Sequence, residues 1–504
     1  MKPILYSAIV IVYVLIMLAV GWWSMRRTKD VGDFFLGGRS LGPWMSAFAY
    51  GTTYFSAVLF IGYAGKLGWG FGLQTMWIVL GNTLVGALLA WWVLARPTRR
   101  MTARLNALTM PEFLRARYQS KGLQIVSALV VFVFLVPYSA SVYMGLSYLF
   151  QKTLGLQYNE ALIFLAVLTG VYLVMGGYFA VAISDFIRGI VEFAGVLLMV
   201  FLLVGMKGGL VESWSQLATA KFMPALSAPP PPTGPPFPGW LTLAALVLIT
   251  SFGPWALPQM VQKFYSIRSE TDVKRAMVIT TVFALFMSFG AYYTGSLTHL
   301  FFTDPKTDFA PIMDAATGKP NLDLLMPHFI TTFVPGWLVL VILLLVFSAS
   351  MSSLSSLVLV SSSAIAIDLF GAFTNRAGKD RSVMFLMRVL CAVFVGLSLA
   401  IAMSKVDVIV NLMVIAWASL AGAFLAPYLY GLFWKRATKA GAFAAMLSGV
   451  GTSVTLFLLW GKPSIPIAGA IAMIVPILVM PVVSLITQPP AAATIEKAFG
   501  EGEG

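Results

Sequence analysis

The sequence predicts an all-α integral membrane protein with about 13 transmembrane helices, and three observations carry that reading. Apolar runs of about 20 residues recur along the whole chain, each long enough as a helix to cross the hydrocarbon. Of the 504 residues 59% are hydrophobic and only 10% charged, too few charges to clothe a soluble surface. The basic residues cluster in short loops that all fall on one face when the helices are counted in order.

The runs place helices at 4–24, 44–72, 74–96, 122–152, 158–178, 184–206, 239–262, 275–303, 336–368, 383–404, 409–432, 437–459 and 465–487. The first run ends at "MRRTKD" and lacks a small-residue cleavage site, so it reads as a retained helix rather than a signal peptide. The second carries Gly51 among hydroxyls in "AYGTTYFSA". The seventh carries Gly253, Pro254 and Pro258 in "TSFGPWALPQ", which deny it continuous i to i−4 bonding. Unwound backbone at membrane depth stands only beside a cavity or buried protein. These two spans lie five apart, an odd offset that reverses their direction, as in inverted five-helix repeats with a site at the breaks.

Charge then orients the set. "ARPTRRMTARLNALTMPEFLRARYQSKG", "KFYSIRSETDVKR", "NRAGKDRS" and "WKRATKAG" share the face of "MRRTKD", which makes that face cytoplasmic and places the N-terminus outside. The tail "PPAAATIEKAFGEGEG" lies inside and reads as disordered. On the opposite face, 207–238 holds "APPPPTGPPFP", an extended segment, and 303–335 is too short for a second domain. The expected organisation is an N-terminal helix and cytoplasmic linker (1–40), a ten-helix core (41–432), two C-terminal helices (433–488) and a tail (489–504).

A net charge of +14 would point to nucleic acid in a soluble chain, but loop placement accounts for it here. The single cysteine, Cys391, excludes a disulfide framework, and His299 and His328 stand isolated near outer loops. The stretch from Ser348 to Ser363 holds nine serines within a span. Serines allow close helix approach and bond back to their own carbonyls; alternatively, their oxygens replace the water around a small cation. Ser352, Ser355 and Ser356 share one face by spacings of three and four. Acidic residues within spans are Asp185, Glu192 and Asp368, the last at a cytoplasmic boundary. Asp185 either pairs locally with Arg188, itself four residues before Glu192, or faces the serine helix. In the second case one carboxylate plus several neutral oxygens makes a hard-ligand set suited to sodium.

The segments "LGGRSLGPW", "MGGYFAVAISDFIRG", "SASMSSLSSLVLVSSSAIAIDLF" and "GLFWKRATKAGAFAAMLSG" occur in this order with the right number of helices between them. On them the chain resembles the sodium:solute symporter family from about Gly37 to Gly451, within its proline and pantothenate branch. The resemblance implies a leucine-transporter-like core of two inverted five-helix repeats. It implies a shared sodium site at Thr52, Phe55, Ala349, Ser352 and Ser353, and a second one at Asp185, Ser352, Ser355 and Ser356. The expected activity is sodium-coupled uptake of a small organic solute by alternating access, two sodium ions per solute, by a monomer in the cell inner membrane. A channel or receptor using the same ion site is the first rival. A membrane enzyme is the second, and lacks a wider cluster of intramembrane His, Asp or Glu.

Three positions depart from the family pattern. Tyr54 stands where sugar and proline transporters carry Asn or Asp, and Val58 and Leu59 replace the polar pair of sugar transporters. Arg188 takes a site otherwise polar and neutral, where it can neutralise Asp185 and weaken the second sodium site. The solute pocket is expected between the breaks, lined by Tyr54, Ser56, Tyr138, Trp255, Gln259 and Trp417. It holds no acidic side chain, and Lys66 lies near the outer mouth. That chemistry ranks a monocarboxylate or pantothenate-like acid first, proline or another amino acid second, and a sugar well below.

Overall fold

Two helices of this chain stop in mid-course, one at Phe55 and one at Gly253. A computed structural model describes residues 2–25, 39–219, 237–302, 305–314, 318, 320–371 and 381–500. Within them every extended element is helical, with two isolated β-bridges at loop contacts. The first half comprises α1 (Lys2–Met25), α2 (Pro43–Tyr54), α3 (58–71), α4 (76–104), α5 (Met110–Tyr118), α6 (Lys121–Leu154), α7 (Tyr158–Gly205) and α8 (Leu210–Thr219). Next come α9 (Gly239–Phe252), α10 (Pro258–Ser266), α11 (Glu270–Phe301), α12 (Leu325–Phe333) and α13 (Gly336–Leu369). The chain closes with α14 (Arg381–Ser404), α15 (Ile409–Phe433), α16 (Lys439–Trp460), α17 (Ile465–Ile486) and α18 (Ala492–Phe499).

Among the described residues ten helices are long and apolar enough to cross a membrane. Shorter apolar stretches stand at Ile4–Val20 and Tyr158–Val171, and the long run Val58–Arg104 covers parts of two expected spans around the turn at Gly72. Counted by apolar stretch these make 13, but two of them are joined without a break. α7 is one helix of 48 residues, about 72 Å at 1.5 Å per residue, and carries both spans expected at 158–178 and 184–206. Large apolar side chains such as Trp77, Trp92, Phe201 and Leu458 point outward, as they do where the solvent is lipid. The segments 26–38, 220–236 and 372–380, including most of the proline-rich run, lie outside the described residues.

Both expected breaks are present. α2 ends at Tyr54, Phe55 is extended (φ −113°, ψ 127°), and the Ser56 hydroxyl accepts the Val58 N–H at 3.2 Å as the chain re-enters a helix. The second runs through a single 3₁₀ turn, Gly253–Trp255, to an extended Leu257, after which Pro258 opens α10. The first break therefore falls four residues beyond Gly51, which stays helical. Gly51 serves packing instead: a Cβ there would lie 2.4 Å from the Phe283 ring. Gly189 of α7 has the same role beneath α2, where a Cβ would meet Phe48 at 2.2 Å and Thr52 at 3.0 Å.

α13 lies along α7 and also touches α6 and α2, so its serines are enclosed on all sides. α1 covers α7 from outside, and its Tyr13 hydroxyl is 2.6 Å from Ser348 Oγ. The tail departs from its disordered expectation. Residues 492–499 form α18, docked where Arg104 donates to the Phe499 carbonyl and the Arg117 guanidinium lies 5.0 Å from the Phe499 ring. Eight residues with Thr494 and Ala498 turned inward are enough once that cation–π contact holds their end.

Candidate ion and solute site

A helix that stops in mid-membrane leaves its last carbonyls without intrahelical partners. At the end of α2 the serine helix meets them. The Ser353 hydroxyl lies 3.4 Å from the Thr52 carbonyl oxygen and 3.3 Å from that of Thr53, donating to both, and Ser352 Oγ donates to Thr52 Oγ1 at 2.8 Å. Of the five residues expected at the shared sodium site, Thr52, Ser352 and Ser353 are thus in direct contact. Phe55 and Ala349 are buried. Carbonyl and hydroxyl oxygens without a formal charge suit a hard monovalent cation.

The second expected cluster is arranged differently. Asp185 is fully buried on α7, with Arg188 Nη1 at 3.6 Å and Lys263 Nζ of α10 at 3.9 Å. Local pairing with Arg188 and an approach to the serine helix therefore occur together. Ser356 Oγ receives the Lys263 ammonium at 3.1 Å and lies 3.1 Å from Thr53 Oγ1. Ser355 donates back to its own helix, to Met351 O at 2.6 Å. Ser362 and Ser363 also bond back, to Val358 O and Val360 O, as packing residues do. Asp368, at the far end of α13, accepts from Thr109 at 2.7 Å and Gln124 at 3.1 Å.

Lys263 is the residue that sequence reasoning missed. It opens the basic run "KFYSIRSETDVKR" and reads as a loop residue. The signal lay in the break: α10 starts at Pro258 in mid-membrane, so Lys263 is only about 8 Å further on at 1.5 Å per residue.

Of the expected solute residues, Tyr54, Tyr138 and Trp417 come together from three helices. Tyr54, at the first break, stacks on Trp417 of α15 with centroids 6.1 Å apart, and Tyr138 of α6 meets the same indole edge-on at 5.8 Å. Gly253, at the second break, packs so closely on Trp417 that a Cβ would come within 2.8 Å of the ring. Two polar handles are engaged by backbone, Tyr54 Oη with Thr250 O (2.6 Å) and Trp255 Nε1 with Val85 O (2.9 Å). Both ends of the Gln259 amide are buried without a hydrogen-bond partner from the protein. Buried polar atoms are rarely left so, and atoms facing a ligand site are one common reason.

A cavity of about 410 Å³ is lined by Lys66, Tyr148, Asp323, Lys405, Asp407 and Lys462. Asp323 Oδ2 accepts the Ile409 N–H at 3.1 Å and so caps α15. Burial pushes its carboxyl up to about 6, against the pull of that N–H and of Lys66. Lys66 donates to Asn411 Oδ1 at 3.3 Å. His299 stacks on Trp69 at 4.0 Å and His328 reaches the Asp308 carbonyl at 3.1 Å, and no group of metal-binding side chains occurs among the described residues.

The fold recurs in solved structures. A Na+-coupled sialic acid symporter, in a substrate-bound outward-open state, superposes with a TM-score of 0.77 at 20% identity, covering 96% of this chain and 98% of that one. The closed form of Mhp1, a nucleobase-cation-symport-1 family transporter, gives 0.53 at 14% identity over 94% of this chain and 100% of its own. The chain thus shares its fold with these two structures.

The sequence profile of the sodium:solute symporter family matches residues 34–449, and the chain belongs to that family. It is a multi-pass membrane transporter coupled to sodium, not an enzyme. Among its relatives, the osmoregulated proline transporter OpuE of Bacillus subtilis is 28% identical, over 97% of this chain and 96% of its own. The high-affinity proline transporter PutP of the same organism is 30% identical over 95% and 98%. The sodium/proline symporter of Salmonella typhimurium is 30% identical over 88% and 86%.

Proposed function

We propose that the protein takes up proline or a closely similar amino acid together with sodium, by alternating access. The supporting observation is the near full-length likeness to proline transporters of two organisms. It moves the zwitterion ahead of the monocarboxylate or pantothenate-like acid that pocket charge alone had favoured. The pocket chemistry accommodates the change. The aromatic cluster of Tyr54, Tyr138 and Trp417 suits an ammonium group, while the Gln259 amide carries a donor available to a carboxylate. Sodium at Thr52, Phe55, Ala349, Ser352 and Ser353 would hold α2 against α13, favouring the outward-facing state that binds solute. Linkage then makes each ligand tighten the other. The basic loops favour a cytoplasmic C-terminus and an outside N-terminus.

Uptake of labelled proline into sealed proteoliposomes tests the reading, with a sodium gradient imposed and with potassium in its place. Proline should accumulate only with sodium, and unlabelled proline should compete where pyruvate, pantothenate and glucose do not. Competition by pyruvate or pantothenate without proline would restore the acid.

A further inference from the structure

We infer that the Lys263 ammonium is a tethered cation occupying the second ion position of this transporter, so that the chain binds one sodium ion fewer than its Asp185 and serine face would otherwise take. The inference rests on the sodium-coupled reading of the ion site.

Lys263 stands where an ion would. Its Nζ lies 3.1 Å from Ser356 Oγ and 3.9 Å from Asp185 Oδ2, touching two of the four residues expected to hold a second sodium. It is fully buried, and so are Asp185, Arg188 and Glu192. An ammonium is a compact point charge with three donors, the side chain closest to a small hydrated cation in what it asks of its surroundings. Charge balance gives the same answer. Asp185 already faces two cations, Arg188 and Lys263. A further sodium would leave a net charge in a region without water to screen it. The shared site at Thr52 and Ser353 is built from neutral oxygens and keeps its place for an ion.

The tether has a mechanical consequence. A sodium ion joins α7 to α13 and leaves with the cargo. Lys263 belongs to α10, so it binds the second broken helix to the same point and never dissociates. The force available for accumulation falls by the share of one ion, and the charge moved per solute falls with it.

Equilibrium binding of radioactive sodium to the purified full-length protein tests this without reference to solute. Lys263→Met should bind one more sodium per chain than wild type, and the Hill coefficient of sodium binding should rise from about 1 toward 2. Sodium, but not potassium, should raise the melting temperature of this variant by more than that of wild type. The double variant Asp185→Asn/Lys263→Met loses the carboxylate and should return to the wild-type count. Equal counts in folded wild type and Lys263→Met would overturn the inference. If Lys263→Met does not fold, wild type decides alone: at most one ion at saturation supports the tether, and two refute it. Absent proline uptake with these ion counts intact would sink the proposed substrate and leave the tether standing.

Discussion

Asp185 and Asp323 are both buried carboxylates, yet they are given different partners. Asp185, at membrane depth, sits between two cations, Arg188 and Lys263. Asp323, in the loop before α12, has the Ile409 N–H at the start of α15, a nearby Lys66, and the opposing charge of Asp407. The first environment sets two cations against one carboxylate. The second lets the proton return near pH 6. Full pairing belongs where a stray charge has no water to reach, and partial pairing suffices beside an open cavity.

The largest effect should come from unbalancing the first of these. Asp185→Asn deprives Lys263 and Arg188 of the buried carboxylate that both approach, a loss on the order of 3–5 kcal/mol. Thermal melting of the purified protein should show it, and most of the loss should vanish in Asp185→Asn/Lys263→Met. If both variants melt alike, charge pairing is not what holds Asp185.

Asp323 should reveal itself through pH. Its folded-state value, about 6, lies above the ordinary 3.8, so its contribution is fully present below about pH 4 and is lost as pH rises through 6. A shift of that size corresponds to roughly 2–3 kcal/mol. Asp323→Asn keeps an acceptor for the Ile409 N–H and should flatten this part of the stability profile. Lys66, Lys405, Lys462, Asp407 and Tyr148 line the same cavity, so mutating Lys66 should move the midpoint upward. A wild-type profile already flat between pH 4 and 7 would contradict the contrast with Asp185.

At the shared site the effect should be on affinity. Ser352→Ala removes the hydroxyl donated to Thr52 and leaves that buried oxygen without its donor, at about 1–3 kcal/mol, or a tenfold or larger fall in sodium affinity. Sodium titration of uptake reads it directly. An unchanged half-saturation would remove Ser352 from the site.

Much of this was legible in the sequence, for physical reasons. Twenty-residue apolar runs have few alternatives to crossing a bilayer, and Pro254 with Pro258 marked the second break, although Pro476 and Pro481 stand inside an unbroken α17. Periodicity put Ser352 and Ser356 on one face, and the contacts to Thr52 and Lys263 lie there. Gly51 misled because a glycine can signal a break or a close approach, and only the Phe283 ring tells which. Lys263 was hidden because a basic residue at the end of an apolar run looks like a loop anchor. The tail helix was hidden because its partners, Arg104 and Arg117, are nearly 400 residues away.

The smallest effect is expected at the far end of the serine run, and it tests the ion face from the other side. Ser362 Oγ donates to Val358 O at 2.6 Å and lies 3.2 Å from Cys391 Sγ. Removing it strands nothing, because the Val358 carbonyl sits inside α13 and keeps the backbone N–H of the following turn, and a thiol is a weak partner. Alanine also fits a helix better than serine does. Ser362→Ala should therefore shift stability by no more than about 0.5–1 kcal/mol and leave sodium affinity unchanged. Its hydroxyl resembles that of Ser352 in type, helix and burial, and differs in where it points: back along its own helix rather than across to α2. Should Ser362→Ala weaken sodium as much as Ser352→Ala does, direction would not be what separates packing serines from ion-binding ones, and the ion face would have to be sought elsewhere on α13.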